Sequence, residues 1–228
     1  MFVFNMRSYK YFYLIVGIFV AVLIVSNTSS TKILELGPLV FDGGTILFPL
    51  AYIFGDILTE VYGYKNSRKV LWTGFACLFL ATLTYYIVGM LPPAADWKGQ
   101  EAYMQILGIV PRIAIASLIA YFAGEFSNSY ILAKMKIWTK GKFLWLRTIG
   151  STIVGEGLDT TLFVLIAFLG TMPTTLLIAI MISNYIFKVL IEVLFTPLTY
   201  IIVNWLKKKE QEDYYDYKTK FNPFSIKD

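Results

Sequence analysis

Histidine is absent from the 228 residues, and cysteine occurs once, as Cys77 inside an apolar run. Without imidazole there is no His-based acid–base catalysis, no Ser-His-Asp triad and no His-ligated metal. A lone thiol excludes a disulfide framework and a CxxC site. No GxxxxGK[ST] segment is present, which excludes ATP hydrolysis through a P-loop. Charge is scarce as well: 15% of the residues are Asp, Glu, Lys or Arg, against about 25% in an ordinary soluble domain.

What is there is apolar. Hydrophobic residues make up 57% and aromatic ones 17%, gathered in long runs rather than thin amphipathic stripes. This composition predicts an all-α integral membrane protein with a bundle of six transmembrane helices. The spans, each at least about 17 residues, are predicted at 11–34, 45–62, 69–91, 111–133, 147–170 and 175–206. The first, YFYLIVGIFVAVLIV, resembles a signal peptide, but no A-x-A cleavage site follows it, so it reads as a retained helix.

The loops alternate in charge. Arg7 and Lys10 precede the first span, while loop 35–44 holds Glu35 and Asp42 and no base. Lys65, Arg68 and Lys69 follow the second span, and loop 92–110 sets Lys98 against Asp96 and Glu101. Lys134, Lys136, Lys140, Lys142 and Arg147 surround the next turn, TMPTT is uncharged, and Lys207, Lys208 and Lys209 open the tail. The positive-inside rule then places both termini of this multi-pass protein in the cytoplasm, and the plasma (inner) membrane is the expected location. Trp72, Trp97, Trp138, Trp145 and Trp205 flank spans, as interfacial aromatics do. The net charge of +5 follows from this topology and gives no reason to expect nucleic acid. Residues 1–206 read as one transporter-sized domain and 207–228 as a short polar cytoplasmic tail, solvated near the headgroups.

Acids nevertheless lie inside the spans. A carboxylate at a helix centre costs roughly 2.5–3.5 kcal/mol on insertion scales, yet Asp56, Glu60, Glu125, Glu156, Asp159 and Glu192 are all there, with Lys188 the one clear base. Three of the stretches resemble one another: YIFGDILTEVYG at 52–63, YFAGEFSNSY at 121–130 and STIVGEGLDTTLF at 151–163. Each has Gly, then an acid, then a polar residue three positions on (Thr59, Asn128, Asp159). Residues at i and i+3 or i+4 share a helix face, so each copy is a polar stripe beside a glycine that permits close approach. Asn184, Lys188 and Glu192 make a fourth stripe at i, i+4 spacing. The four stripes sit at a similar depth, from the bilayer middle toward its cytoplasmic half.

Structural readings stand beside the functional ones. Glu60 is placed to pair with Lys65 or Arg68, and Lys188 with Glu192 as a structural ion pair. Asn27, Ser30 and Thr31 share a face at the end of the first span, equally suited to function and to capping. The Gly43-Gly44 turn and Pro49 make an irregular start to the second helix, Pro111 suits the start of the fourth, and Pro197 is expected to kink the sixth. Lined with carboxylates, amides and aromatic rings, the interior suits a flat, donor-rich, neutral or cationic small molecule.

FPLAYIFGDILTEVYGYKNSRKV, AGEFSNSYILAKMK, RTIGSTIVGEGLDTTLF and NYIFKVLIEVLFTPLTY resemble the signature blocks of the queuosine precursor transporter family, also called VUT (vitamin uptake transporter) or YhhQ-type proteins. The resemblance covers roughly residues 15–207. It implies a six-helix importer of 7-cyano-7-deazaguanine, 7-aminomethyl-7-deazaguanine or queuine for queuosine in tRNA, working by alternating access without cofactor or metal. On that basis Asp56, Glu125, Asn128, Glu156, Asp159, Asn184 and Lys188 are candidate substrate residues, and Asn27, Glu60 and Glu192 are candidates for gating or coupling. The partners expected are the small-molecule substrate and the bilayer, and a bundle this small suits a homodimer. The competing classes are a substrate-binding membrane subunit energised by a separate ATPase and an intramembrane enzyme.

Overall fold

The computed structural model describes residues 9–37, 39–108, 110–170, 173–222 and 224. Arg7, counted above among the N-terminal charges, and Thr171 and Met172 of the TMPTT turn lie outside them. Seven α-helices are present among the described residues: α1 (Phe12–Ser29), α2 (Phe48–Tyr62), α3 (Tyr64–Met90), α4 (Gln100–Leu107), α5 (Val110–Trp138), α6 (Leu144–Phe168) and α7 (Thr174–Glu210). Between α1 and α2, β1 (Ile33–Leu36) and β2 (Leu39–Asp42) form an antiparallel hairpin with Ile33 opposite Asp42.

Six of these helices fall on the predicted spans. Four are long and apolar enough to cross a membrane by length and composition: Phe12–Ser29, Tyr64–Met90, Leu144–Phe168 and Leu177–Glu210. The span predicted at 45–62 needs correcting. Its helix is 15 residues long, about 22 Å at the usual 1.5 Å rise, short of a hydrocarbon core of about 30 Å. Residues Gly43–Ile46 form a 3-10 turn instead. The helix then starts with Pro49 in its first turn, where the missing N–H forfeits no hydrogen bond. The first span also ends early, at Ser29, because the chain reverses into the hairpin. Helix α4 was not expected; α7 runs unbroken through Pro197 to Glu210.

The bundle is apolar outside and polar within. On α7, Asn184, Lys188, Glu192 and Thr196 are buried, whereas Ile182, Ile186, Leu190 and Leu194, at the same four-residue spacing on the opposite side, are exposed. Helices α5 and α6 repeat the pattern, exposing Ile115, Ile119, Ile153 and Val154 while burying Glu125, Asn128, Thr148 and Ser151. Water as the outer solvent would favour the reverse; hydrocarbon favours this arrangement. Phe19, Phe75 and Tyr121 pack between α1, α3 and α5 as the apolar part of the core.

The tail, expected as a solvated extension, folds back over the ends of α1, α2 and α3. Glu210 accepts the backbone N–H groups of Lys10 (2.8 Å) and Tyr11 (2.6 Å), capping the start of α1, and the Tyr62 hydroxyl (3.1 Å). Asp216 accepts the N–H of Tyr64 at the first turn of α3 (3.0 Å). Those N–H groups have no partner within their own helices, and a carboxylate also meets the positive end of the helix dipole. Arg68 donates to the carbonyls of Lys220 (2.9 Å) and Asn222 (2.7 Å). One residue, Gly63, joins α2 to α3 at φ 82°, a conformation that strains other residues, and the Tyr214 ring fills the space a β-carbon would need.

Asp216→Ala removes the cap of α3 and is expected to lower stability by about 1 kcal/mol, read as a lower melting temperature in detergent. Tryptic cleavage at Lys218 and Lys220 is expected to quicken in the same variant. Unchanged cleavage would mean that other contacts hold the tail.

Candidate functional site

The polar interior has three levels. At the end where α1 begins, the Glu60 carboxylate is enclosed by bases. Arg147 donates to it through Nη1 and through Nη2 (3.2 Å), and Lys207 through Nζ (2.6 Å). Lys136 lies 3.5 Å from Glu60 Oε1 and donates to the Glu60 carbonyl (2.6 Å), Asp213 Oδ1 (2.6 Å) and the Tyr214 carbonyl (2.7 Å). The pairing expected from Lys65 or Arg68 is therefore corrected. Glu60 is matched by α5, α6 and α7, and Arg68 holds the tail. Arg147 also donates to the carbonyls of Lys142 (3.1 Å) and Gly141 (3.2 Å), which steadies the α5–α6 turn where Lys140 and Phe143 take left-handed backbone.

Two tail acids show how the cluster acts on its neighbours. Burial works to raise the Asp213 carboxyl, but hydrogen bonds from Lys136 and Lys207 outweigh it and hold the group below its usual value. Asp216 stays above its usual value because burial outweighs the hydrogen bonds from Thr219 and the Tyr64 backbone.

At the opposite end, a polar cavity of about 30 Å³ lies among α1, α6 and α7. Ser26 and Asn27 line it from α1, with Ser30 just past its end, Asp159, Thr160 and Phe163 from α6, and Asn184 and Lys188 from α7, with Thr45 and Ser117 completing the wall. Lys188 Nζ is 2.8 Å from Asp159 and 3.1 Å from Glu156. It thus crosses to α6, in place of the pairing with Glu192 along its own helix. Asn184 Oδ1 accepts no hydrogen bond from the described residues. Asn27 turns its amide nitrogen back to the Leu23 carbonyl (2.9 Å).

Between the two ends lie Asp56, Glu125, Asn128 and Glu192. Asn128 donates to Asp56 Oδ1 (2.8 Å). Asp56 Oδ2, both Glu125 oxygens and Glu192 Oε1 accept no hydrogen bond from the described residues. This level also bears on the repeated glycine–acid motif, because the copy on α5 packs against those on α2 and α6. A β-carbon on Gly55 would collide with the Glu125 carboxylate, and one on Gly155 would lie 2.9 Å from the Gly124 carbonyl and from Asn128 Cβ. Gly55 and Gly155 thus both make room for the copy on α5.

Of the seven candidate substrate residues, the structure brings Asp159, Asn184 and Lys188 to the cavity, with Glu156 joined through Lys188. Asp56, Asn128 and Glu125 lie apart from them as a second group. Asn27 lines the cavity, Glu192 belongs to the middle level and Glu60 to the ion cluster. Arg147, Lys136 and Lys207 were read only as loop charges. A signal for Arg147 existed: Arg147, Ser151, Gly155 and Asp159 continue one face at four-residue steps. The hydroxyls of Ser26, Thr45 and Ser117 carried none, since short polar side chains are common in apolar helices.

An apolar exterior around a charged, amide-bearing interior with a small cavity defines a multi-pass membrane protein that handles a polar solute. The family described as "Putative vitamin uptake transporter" matches residues 42–202. A "Probable queuosine precursor transporter" of Bacillus subtilis is 31% identical over 191 residues, 82% of each chain. The "Queuosine precursor transporter" of Escherichia coli is 28% identical over 170 residues, covering 73% of this chain and 74% of its own. A Haemophilus influenzae "Probable queuosine precursor transporter" is 27% identical over 175 residues, 74% and 71% of the two chains. No solved structure gives a significant match. The chain belongs to the queuosine precursor transporter (vitamin uptake transporter) family, and it is a transporter, not an enzyme.

The glycine contacts yield a paired test. Gly155→Ala forces α5 and α6 apart and is expected to destabilise the bundle by about 1–3 kcal/mol. Gly157→Ala meets only Tyr185, at 3.7 Å, and is expected to leave the melting temperature in detergent unchanged. Equal melting of both variants would remove the close-packing role.

Proposed function

We propose that the chain imports a queuosine precursor of the 7-deazaguanine class by alternating access, holding it in the cavity among α1, α6 and α7. The observation that carries this reading is the placement of Asp159 beside Lys188 in a polar cavity, in a chain whose relatives are named for queuosine precursors. A 7-deazaguanine base presents an N1–H and an exocyclic amine next to a carbonyl oxygen. Asp159 accepts from the first two and Lys188 donates to the third, and charge-assisted bonds of this kind are the strong ones. Asn184 offers an amide acceptor, and Phe163 a ring face for the planar base.

The volume supports movement. Ligand pockets are commonly about 300–1,000 Å³, and a cavity of about 30 Å³ is closed to a bicyclic base until helices separate. Contacts close it at both ends. Near the end of α1, Ser26 donates to the Gly44 carbonyl (2.9 Å) and Phe41 of the hairpin stacks on Phe187 with centroids 5.4 Å apart. At the other end are the Glu60 cluster and the tail. With both termini cytoplasmic, as the loop charges favour, the hairpin is the outer closure and the cluster the inner one. Alternating access then consists of opening one while the other holds.

Purified protein in liposomes provides the test, with labelled 7-cyano-7-deazaguanine and 7-aminomethyl-7-deazaguanine as substrates. Uptake is expected with no other protein present; binding without uptake would favour a subunit that needs an ATPase. Asp159→Asn and Asn184→Ala are expected to weaken binding at least tenfold, about 1.4 kcal/mol, with Asn184→Ala, which breaks no ion pair, retaining a wild-type melting temperature. Wild-type affinity in both variants would move the substrate elsewhere.

A further inference from the structure

The bases buried among the described residues are Arg68, Lys136, Arg147 and Lys188. Arg68 holds the tail, Arg147 and Lys136 serve Glu60 and Asp213, and Lys188 serves Glu156 and Asp159. The middle level receives none of them. Glu125 and Asp56 are 0% exposed and Glu192 is 2% exposed, yet four of their oxygens accept no hydrogen bond from the described residues. The Glu125 carboxylate points at Gly55, next to Asp56 on α2, and Glu192 faces the same place from α7. Carboxylates this close in a low-dielectric interior cannot all stay ionised; a proton is the ligand that resolves the conflict. No three acids among the described residues converge as metal ligands do.

We propose that Glu125 and Asp56, with Glu192, form a proton-carrying site distinct from the substrate cavity, so that a proton accompanies each substrate molecule across the membrane. This rests on the transport reading above. One proton binds a Glu125 or Asp56 carboxylate from the side where substrate enters and leaves to water on the other side.

The surroundings define how the two sites communicate. Facing the pair are Glu60 along α2, Tyr121 on α5, Glu156 and Asp159 on α6, and Glu192 on α7, with Lys188 of α7 bonded to the two α6 acids. Helix α1 has no charged residue, and those of α3 are confined to Lys65, Arg68 and Lys69 near its start. Glu156 and Asp159 are therefore shared neighbours, close to Glu125 and bonded to Lys188. A substrate that engages Asp159 and Lys188 alters the charge that Glu125 meets, and a proton on Glu125 alters the charge that the substrate meets. Asn128, tied to Asp56 and packed against Gly155, links the pair to α6 mechanically.

The experiment uses the full chain in liposomes containing a pH-sensitive dye, with 7-cyano-7-deazaguanine outside. An inward proton gradient is expected to raise wild-type uptake several-fold over uptake without a gradient, and substrate addition is expected to acidify the lumen. In Glu125→Gln the ratio of uptake with and without the gradient is expected to fall to unity, with no acidification. Asp56→Asn supplies the same readout from the other carboxylate should Glu125→Gln not fold. A gradient response retained in both variants, or wild-type uptake with no proton movement, overturns the proposal. So does a folded Glu125→Gln protein that no longer binds substrate, because Glu125 would then belong to the substrate site. Wild-type protein that fails even to exchange substrate overturns the transport reading itself, a separate outcome.

Discussion

A carboxylate enclosed by hydrocarbon must be matched by a base, a hydrogen-bond donor or a proton, and the interior of this bundle is arranged around that requirement. The three levels meet it differently. Glu60 is surrounded by three bases from three helices. Glu156 and Asp159 share Lys188. Asp56 has one amide, and Glu125, with the Ser129 hydroxyl one turn along its own helix, has no base among the described residues. Breaking a buried pair by removing one partner costs about 3–5 kcal/mol, so the Glu60 level has the character of a clamp. The other two levels hold less compensation and can respond to a ligand.

Close packing makes these levels possible. Polar groups satisfy one another across helices only where backbones approach, and in lipid that approach falls to small residues. Gly55 and Gly155, each preceding an acid, are best understood as partners of another copy rather than of their own acids. Gly55 admits Glu125, and Gly155 admits Asn128 and the Gly124 carbonyl. The repetition in the sequence thus records the contact of α5 with α2 on one side and α6 on the other.

Much of the fold was legible because lipid leaves a simple trace: long apolar runs for the helices, and polar residues at helical spacing for the inward faces. The stripe Asn184, Lys188, Glu192 was readable for that reason. Partners were not. Periodicity tells which face a residue occupies but not which helix lies opposite, so Glu60 was matched to bases nearby in sequence while its real partners, Arg147 and Lys207, lie 87 and 147 positions away. The division of the candidates into a cavity and a separate carboxylate group is likewise a matter of packing. The hairpin fell almost wholly in what read as a connecting loop, since Glu35 and Asp42 gave its two short strands the look of a polar turn. The tail misled in part through composition: most of its polar side chains face water, but Glu210 and Asp216 are buried and cap helix ends.

The capping of α1 by Glu210 bears on how the protein is made. The two N–H groups that begin the first helix meet a carboxylate 200 and 199 positions later in the chain, after every other long helix has been synthesised. Throughout synthesis the earliest span must wait with its amide end bare, turned toward headgroups or water. The start of α1 can therefore be capped only after α7 has been made, because Glu210 is that helix's final residue.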